Sequence, residues 1–182
     1  SLYGHTAIRI QNHCSDAGMS ADIAVNYGMF SFSKPYFVLR FVFGLTDYEI
    51  GIETFQEFCP EYERVGCGVL QQQLNLNREE KLALLQAIDE NYRPENRVYR
   101  YNYFYDNCTT RARDIIIRCI EGSVVYDKAT DNSTNPADGT YISFREMIHR
   151  YTAQHPWARF GNDLLLGVKA DSHTSFEEQQ FL

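Results

Sequence analysis

Cys108 lies where a polar turn meets an apolar segment, in the stretch YFYDNCTTR that is followed by ARDIIIRCI. Asn107 is a residue type that caps helices, so the pattern predicts Cys108 as the first residue of a helix. Free N–H groups and the helix dipole favour thiolate over thiol at that position. The backbone N–H of Cys108 could also form half of an oxyanion hole. The alternative is a small buried cysteine that only packs.

The other four cysteines are weaker candidates for chemistry. Cys119 falls inside the same predicted helix, where the N–H groups are already used by the helix itself. Cys59 and Cys67 flank a turn-like stretch, and the sequence leaves open whether they form a disulfide or remain two thiols. His13 beside Cys14 lacks further ligands at useful spacing, and the chain has no CxxC pair. The sequence therefore predicts neither a metal site nor another cofactor.

A cysteine nucleophile needs a base, normally a histidine, which a third polar group orients. His5 follows a glycine at the edge of a predicted strand, in YGHTAIRI, where it could face a helix terminus. The other candidates are less well placed: His149 lies in a predicted amphipathic helix, His155 precedes a proline, and His173 lies in a polar tail. These settings favour surface or structural roles. His5 is the candidate base, and its alternative role is a polar residue that ends a strand.

Strands and helices that could position these groups follow from periodicity and capping. Alternating or aromatic segments predict strands over residues 6–10, 23–32, 47–55, 64–74 and 96–105. Helices are predicted over 36–44, 78–92, 108–120 and 144–154, with a short helical run after residue 155. Asn77 and Ser143 are candidate N-caps, and Glu80 would complete a capping box with Asn77. Loops are predicted over residues 11–22 and 121–141.

Composition bounds the class of protein. With 182 residues, of which 44% are hydrophobic, the chain is expected to form one folded domain over residues 1–182. Its net charge of −7 argues against nucleic acid as a partner. The longest apolar stretch, residues 36–45, is too short to span a bilayer. The aromatic run in it either packs in the core or lies against a membrane surface.

Five blocks of sequence, in this order, resemble the Lnb N-terminal periplasmic domain family. They are LYGHTAIRI, VNYGMFSF, YFVLRFVFG, YRYNYFYDNCTTRARD and PWARFGNDLLLG followed by KAD. The resemblance extends over nearly the whole chain. It implies an α+β fold of the circularly permuted papain-like, NlpC type, in which the strand with the histidine precedes the helix with the cysteine. An antiparallel sheet is expected to pack against the helix that Cys108 begins.

The resemblance also implies an activity. Cys108 would take an acyl chain from a glycerophospholipid as a thioester, with His5 as the base and then the acid. The acyl chain would pass to the N-terminal amine of a bacterial lipoprotein at the periplasmic face of the inner membrane. Full-length relatives carry a membrane-spanning part after this domain. The resemblance therefore implies that residues 1–182 are one soluble domain of a longer membrane protein.

Three further residues are candidates for this site. Asn26, on the strand after His5, could orient the imidazole, or it is only a polar residue at a sheet edge. Tyr27 is an alternative for that role and for substrate binding. Arg111, one turn after Cys108, could hold a phosphate or carboxylate, or it pairs with Asp114 or packs.

Two other functions stay open on the sequence. A cysteine amidase or peptidase that acts on cell-wall peptides would use the same cysteine and histidine, with water in place of the amine. A non-catalytic domain that binds lipid or peptide would need neither. A long distance between Cys108 and His5 would favour the binding domain.

Overall fold

A computed structural model describes residues 4–13, 20–30, 35–36, 40, 45–122, 124–125, 141–175 and 178. The chain forms two compact units that divide between residues 123 and 124. Within the described ranges, the first unit contains four strands and three helices, and the second contains two α-helices and a 3₁₀ helix. The single domain expected over residues 1–182 stays a prediction.

The sheet of the first unit is an antiparallel meander. Its strands are β1 (Ala7–His13), β2 (Ser20–Met29), β3 (Asp47–Thr54) and β4 (Val98–Arg100), in the spatial order β1-β2-β3-β4. Ile8 pairs with Val25, and Val25 pairs with Ile52 on the next strand. The predicted α+β class with an antiparallel sheet is confirmed.

Three helices complete the first unit, and each begins at a capping box. They are α1 (Phe55–Arg64), α2 (Arg78–Tyr92) and α3 (Cys108–Cys119). In α2, the Asn77 side chain accepts the N–H of Glu80, and the Glu80 carboxylate accepts the N–H of Asn77. This reciprocal pair satisfies two N–H groups that the helix itself cannot bind, as the sequence predicts.

One face of the sheet packs against α2 and α3. The core consists of side chains from three strands and two helices: Ile8, Val25, Tyr27, Ile50, Leu84, Ile88, Ala112 and Ile115. Each large apolar side chain buried in this way contributes roughly 1.5–3 kcal/mol to folding. Because side chains alternate along a strand, Asn26 lies on the face opposite Val25 and Tyr27. The core thus fixes the start of α3 beside β1 and β2.

The second unit consists of α4 (Phe144–Tyr151), α5 (Pro156–Leu165) and a 3₁₀ helix (Val168–Asp171). Ser143 caps α4, as predicted, through a capping box with Glu146. Arg145 joins the three elements, because its guanidinium donates to Asp163, to Asp171 and to the Gly167 carbonyl. Phe144 and Ala170 are almost fully buried.

Several predicted elements differ from the structure. The strand predicted over residues 64–74 is wrong: α1 ends at Arg64, and residues 65–77 are irregular. Helix α1 itself is missing from the sequence prediction, although Thr54 and Glu57 form its capping box, because Pro60 interrupts its pattern. The predicted loop 11–22 is too long, since β1 extends to His13 and β2 begins at Ser20.

The strand predicted over residues 96–105 is limited to Val98–Arg100. It cannot continue because the Asn102 side chain accepts the N–H groups of Phe104 and Tyr105, which closes a turn. Most of the helix predicted over residues 36–44, with its aromatic run, and most of the loop predicted over 121–141 lie outside the described residues. No helix in the described ranges is long and apolar enough to span a bilayer.

Candidate active site

The N-terminus of α3 presents Cys108 as its first residue. The Asn107 side chain accepts the N–H groups of Thr109 at 2.9 Å and Thr110 at 3.0 Å. The Thr110 hydroxyl in turn accepts the N–H of Asn107 at 2.8 Å. The predicted cap is therefore confirmed. Within the part of the chain that the structure describes, the N–H of Cys108 has no hydrogen-bond partner, so it can bind a developing oxyanion.

The Cys108 thiol and the His5 imidazole, 103 positions apart in the chain, lie close enough for each to shift the pKa of the other. Burial raises the pKa of Cys108, but four interactions outweigh it. They are the hydrogen bond with His5, a hydrogen bond with the Thr6 backbone, the charge of His5 and a hydrogen bond with the Thr109 side chain. The pKa of the thiol is therefore below its ordinary value, which favours the thiolate.

The two hydroxyls beside Cys108 form a short relay. Thr6 Oγ1 lies 3.1 Å from Thr109 Oγ1. When the Thr109 hydroxyl donates to the Cys108 sulfur, Thr6 must donate to Thr109, because each hydroxyl has one proton. The relay links β1 directly to the first turn of α3.

The His5 imidazole can carry the positive charge that pairs with the Cys108 thiolate. Burial lowers the pKa of the half-buried imidazole, but the hydrogen bond and charge of Cys108 raise it, as do the hydrogen bond to Asn26 and the charge of Glu53. The sum raises the pKa of His5 above its ordinary value. A lowered thiol pKa and a raised imidazole pKa together favour a thiolate–imidazolium pair.

Asn26 determines which nitrogen of His5 faces the thiol. Its Oδ1 atom lies 2.8 Å from His5 Nε2 and accepts the N–H of Gly28 at 2.8 Å. Its Nδ2 donates to Glu53 Oε1 at 3.4 Å. An oxygen that accepts from Gly28 cannot donate to His5, so Nε2 carries the proton of that bond. Nδ1 is then the nitrogen available to Cys108.

Tyr62 of α1 lies beside the imidazole. Its ring is nearly parallel to that of His5, with an interplanar angle of 13° and a centroid distance of 6.4 Å. Phe58, one turn earlier on the same helix, packs against the Tyr62 ring. Burial, with the charges of nearby acidic groups and of Cys108, raises the pKa of the Tyr62 hydroxyl, so this ring is neutral at physiological pH. Helix α1 thus shields one side of His5.

Arg111 is engaged by protein groups. Its guanidinium donates to both carboxylate oxygens of Asp106, at 2.6 and 2.8 Å, and lies 3.6 Å from the centroid of the Tyr99 ring. Asp114, which the helix spacing suggests as its partner, accepts instead from Arg113 at 2.5 Å. The structure thus places Arg111 in an ion pair, and substrate binding by Arg111 stays a prediction.

Tyr27 lies in the core, with 1% of its surface exposed. Its hydroxyl accepts a hydrogen bond from Asn91 at 3.0 Å. Burial raises the pKa of this hydroxyl. Of the two residues proposed to orient the imidazole, Asn26 is therefore the one that contacts it.

Five residues of the site are absent from the sequence prediction: Thr6, Gly28, Glu53, Tyr62 and Thr109. Apart from Gly28, each acts through a contact with a residue distant in the chain, so no local pattern identifies it. Gly28 alone carries a signal, since a glycine within a strand suggests a bulge or a close approach.

Three further cysteines lie in the described part of the chain. Cys59, Cys67 and Cys119 are free thiols. Cys119 packs against the core, as expected for a structural residue. In the described part of the chain, no group of three or more His, Cys, Asp or Glu side chains is arranged to hold a metal ion.

A family model described as the Lnb N-terminal periplasmic domain matches residues 1–148. The match confirms the family indicated by the sequence blocks, four of which lie within it. It also fits the predicted periplasmic location. Comparison with curated proteins and with solved structures gives no match. The permuted papain-like form of the fold therefore stays a prediction.

Proposed function

The chain belongs to the Lnb N-terminal periplasmic domain family, and on that premise we propose that it is a thiol-dependent acyltransferase. The donor is a glycerophospholipid, and the acceptor is the N-terminal amine of a bacterial lipoprotein. The observation that supports the proposal is the grouping of three side chains at the start of α3: Cys108 is its first residue, His5 shifts the pKa of that thiol, and Asn26 Oδ1 lies 2.8 Å from His5 Nε2.

In the first step, the proton of Cys108 passes to His5 Nδ1, and the thiolate attacks the ester carbonyl of the phospholipid. The N–H of Cys108 donates to the oxyanion of the tetrahedral intermediate. When the intermediate collapses, the C–O bond breaks and His5 returns its proton to the leaving alkoxide. A lysophospholipid departs, and the acyl chain remains on Cys108 as a thioester.

In the second step, the amine of the acceptor attacks the thioester, and neutral His5 takes a proton from it. The C–S bond then breaks, which leaves an amide on the acceptor and the thiolate of Cys108 beside imidazolium. The raised pKa of His5 and the lowered pKa of Cys108 support this return to an ion pair.

The chain order supports a permuted papain-like, NlpC-type fold. The strand next to His5 precedes the helix that Cys108 begins, and both belong to one unit. We assign the reaction to the periplasmic face of the inner membrane, with a membrane-spanning part of the intact protein beyond this domain.

The test is acyl transfer by the intact protein in phospholipid vesicles with a diacylated lipoprotein. Mass spectrometry would follow the thioester on Cys108 and the amide on the acceptor. Cys108→Ala should abolish both products, and His5→Ala should slow their formation by at least about 100-fold. Cys67→Ala removes a free thiol that donates only weakly to the Val65 carbonyl and leaves the backbone contact with Tyr62 in place, so it is the matched control and should keep full activity.

Full acylation by Cys108→Ala would overturn the proposal. Cleavage of cell-wall muropeptides without any thioester from phospholipid would instead identify a cysteine amidase. A protein with neither activity that still binds lipid would be a binding domain, against which the proximity of Cys108 to His5 argues.

A further inference from the structure

We propose that Gly28 is a positioning residue of this site, because its missing side chain leaves the space that the His5 imidazole occupies. It also holds the Asn26 side chain through its N–H. The inference rests on the His5–Cys108 pair of the proposed function, and it holds for any acyl donor or acceptor.

The space above Gly28 is filled by His5. A Cβ atom built on Gly28 would lie 2.5 Å from His5 Cε1, 3.1 Å from His5 Nδ1 and 3.3 Å from Asn26 Oδ1. Carbon atoms in contact normally lie about 3.5–4.0 Å apart. Any side chain at this position therefore requires the imidazole to move.

The backbone of Gly28 gives no other reason for a glycine. The glycines with positive φ in the described ranges are Gly66, Gly122 and Gly167. Gly28 is outside this set, so an L-residue could adopt its backbone conformation without strain. The constraint on residue 28 comes from its neighbour and not from the chain.

Gly28 also holds the Asn26 amide oxygen that accepts the hydrogen bond from His5. Pairing between β2 and β3 shifts register between Asn26 and Met29, and Gly28 lies within this irregularity. Its N–H turns back to Asn26 Oδ1 at 2.8 Å. That bond points the amide oxygen, not the amide nitrogen, at His5 Nε2.

The imidazole has little room to yield. It is held at Nε2 by Asn26 and at the other side by Cys108, and the Tyr62 ring runs nearly parallel to it. A methyl group on residue 28 would push the ring at Cε1, the atom between its two nitrogens. Such a shift loosens the bond to Asn26, the bond to Cys108 or both.

The test is the rate of alkylation of Cys108 by iodoacetamide near neutral pH in the intact protein, resolved from the other cysteines by peptide mass spectrometry. Gly28→Ala should lower this rate roughly tenfold, because the thiolate loses its aligned partner. Gly68→Ala is the matched control: a Cβ there meets nothing within 4 Å, so the rate should stay unchanged.

A cycle with His5→Ala separates positioning from a general effect on folding. Removal of the imidazole vacates the space and leaves the Asn26 side chain free to move away from the new methyl group, so Gly28→Ala should lower neither the alkylation rate nor the Tm in the His5→Ala background. A further fall of either quantity in the double variant would overturn the inference, as would an unchanged rate in Gly28→Ala itself. The cycle is informative even where Gly28→Ala alone is unstable.

Alkylation needs neither phospholipid nor lipoprotein. If acyl transfer fails while the cycle behaves as described, the acyltransferase proposal falls and the role of Gly28 stands. If acyl transfer occurs and Gly28→Ala keeps full alkylation, the reverse holds.

Discussion

His5 Nε2 lies 2.8 Å from Asn26 Oδ1, and the same oxygen accepts the backbone N–H of Gly28. The bond assigns the proton to Nε2 and directs Nδ1 at Cys108. Asn26 is therefore the third member of a Cys–His–Asn arrangement, in which the amide selects the tautomer and orientation of the base.

Replacement of Asn26 should leave His5 in place but change the orientation of its imidazole. Asn26→Ala leaves His5 free to rotate and to take the other tautomer, so kcat for acyl transfer should fall by about 100-fold, with little change in KM. Asn12→Ala, an exposed asparagine on β1, is the control and should have no effect. Equal rates for Asn26→Ala and the wild type would show that the orientation of His5 does not depend on Asn26.

The pH dependence of Cys108 follows from opposite shifts of two groups. The pKa of Cys108 is lowered, so the thiolate forms at lower pH than in an unfolded chain; the pKa of His5 is raised, so the imidazolium persists above its ordinary value of 6.5. These opposite shifts increase the population of the reactive thiolate–imidazolium pair. We expect kcat/KM to rise as Cys108 deprotonates and to fall as His5 loses its proton.

The pH dependence of alkylation by iodoacetamide directly measures the deprotonation of Cys108. Its onset for Cys108 should lie at lower pH in the folded protein than in protein unfolded by urea. In His5→Ala, the onset should move to higher pH. An onset in the wild type at the same pH as in urea would contradict the lowered pKa.

The Thr109 hydroxyl should contribute a smaller share of thiolate stabilisation. Thr109→Val keeps the shape of the side chain but removes the donor to Cys108 and the acceptor for Thr6. Loss of one hydrogen bond to a charged group is worth about 1.5–3 kcal/mol, so the pKa of Cys108 should rise measurably. Thr109→Ser restores a hydroxyl, and it should restore the alkylation profile. A profile that Thr109→Val leaves unchanged would remove Thr109 from the site.

Substitution of Arg111 can show whether this residue has a structural role or binds substrate. Its bidentate pair with Asp106 and its contact with the Tyr99 ring predict that Arg111→Ala lowers the free energy of unfolding by about 1–2 kcal/mol. Arg93→Ala breaks an exposed pair with Glu90 and should cost under about 1 kcal/mol. Denaturant titration measures both. A raised KM for phospholipid vesicles with unchanged stability would instead support the role in substrate binding.

Local signals in the sequence predict the caps of this fold. Asn77 with Glu80, Asn107 before Cys108, and Ser143 each act within one helical turn, so residue type and spacing identify them. The start of α3, and hence the position of the thiol, follows from such a signal. Asn26 is also within reach of prediction, because it pairs with Ala7 at the start of β1, two residues after His5.

Contacts between distant elements are not accessible in this way. Arg111 has Asp114 at helical spacing, but it pairs with Asp106 in the preceding turn. The contact of Thr6 with Thr109 joins residues 103 positions apart, and no periodicity encodes it. Helix α1, which brings Tyr62 to His5, is obscured by Pro60. The two residues proposed as base and nucleophile are therefore predictable from the sequence, and the groups that shift their pKa values are not.

The capping box of α3 limits what kind of oxygen this helix can receive. Of the first three amides, those of Thr109 and Thr110 are held by Asn107, which leaves that of Cys108 for a ligand. A phosphate at a helix N-terminus normally binds several amides at once. The same cap that stabilises the helix thus suits the single oxygen of an acyl intermediate and rejects a tightly bound phosphate. In the proposed reaction, a phospholipid would present its ester here without competition from its headgroup.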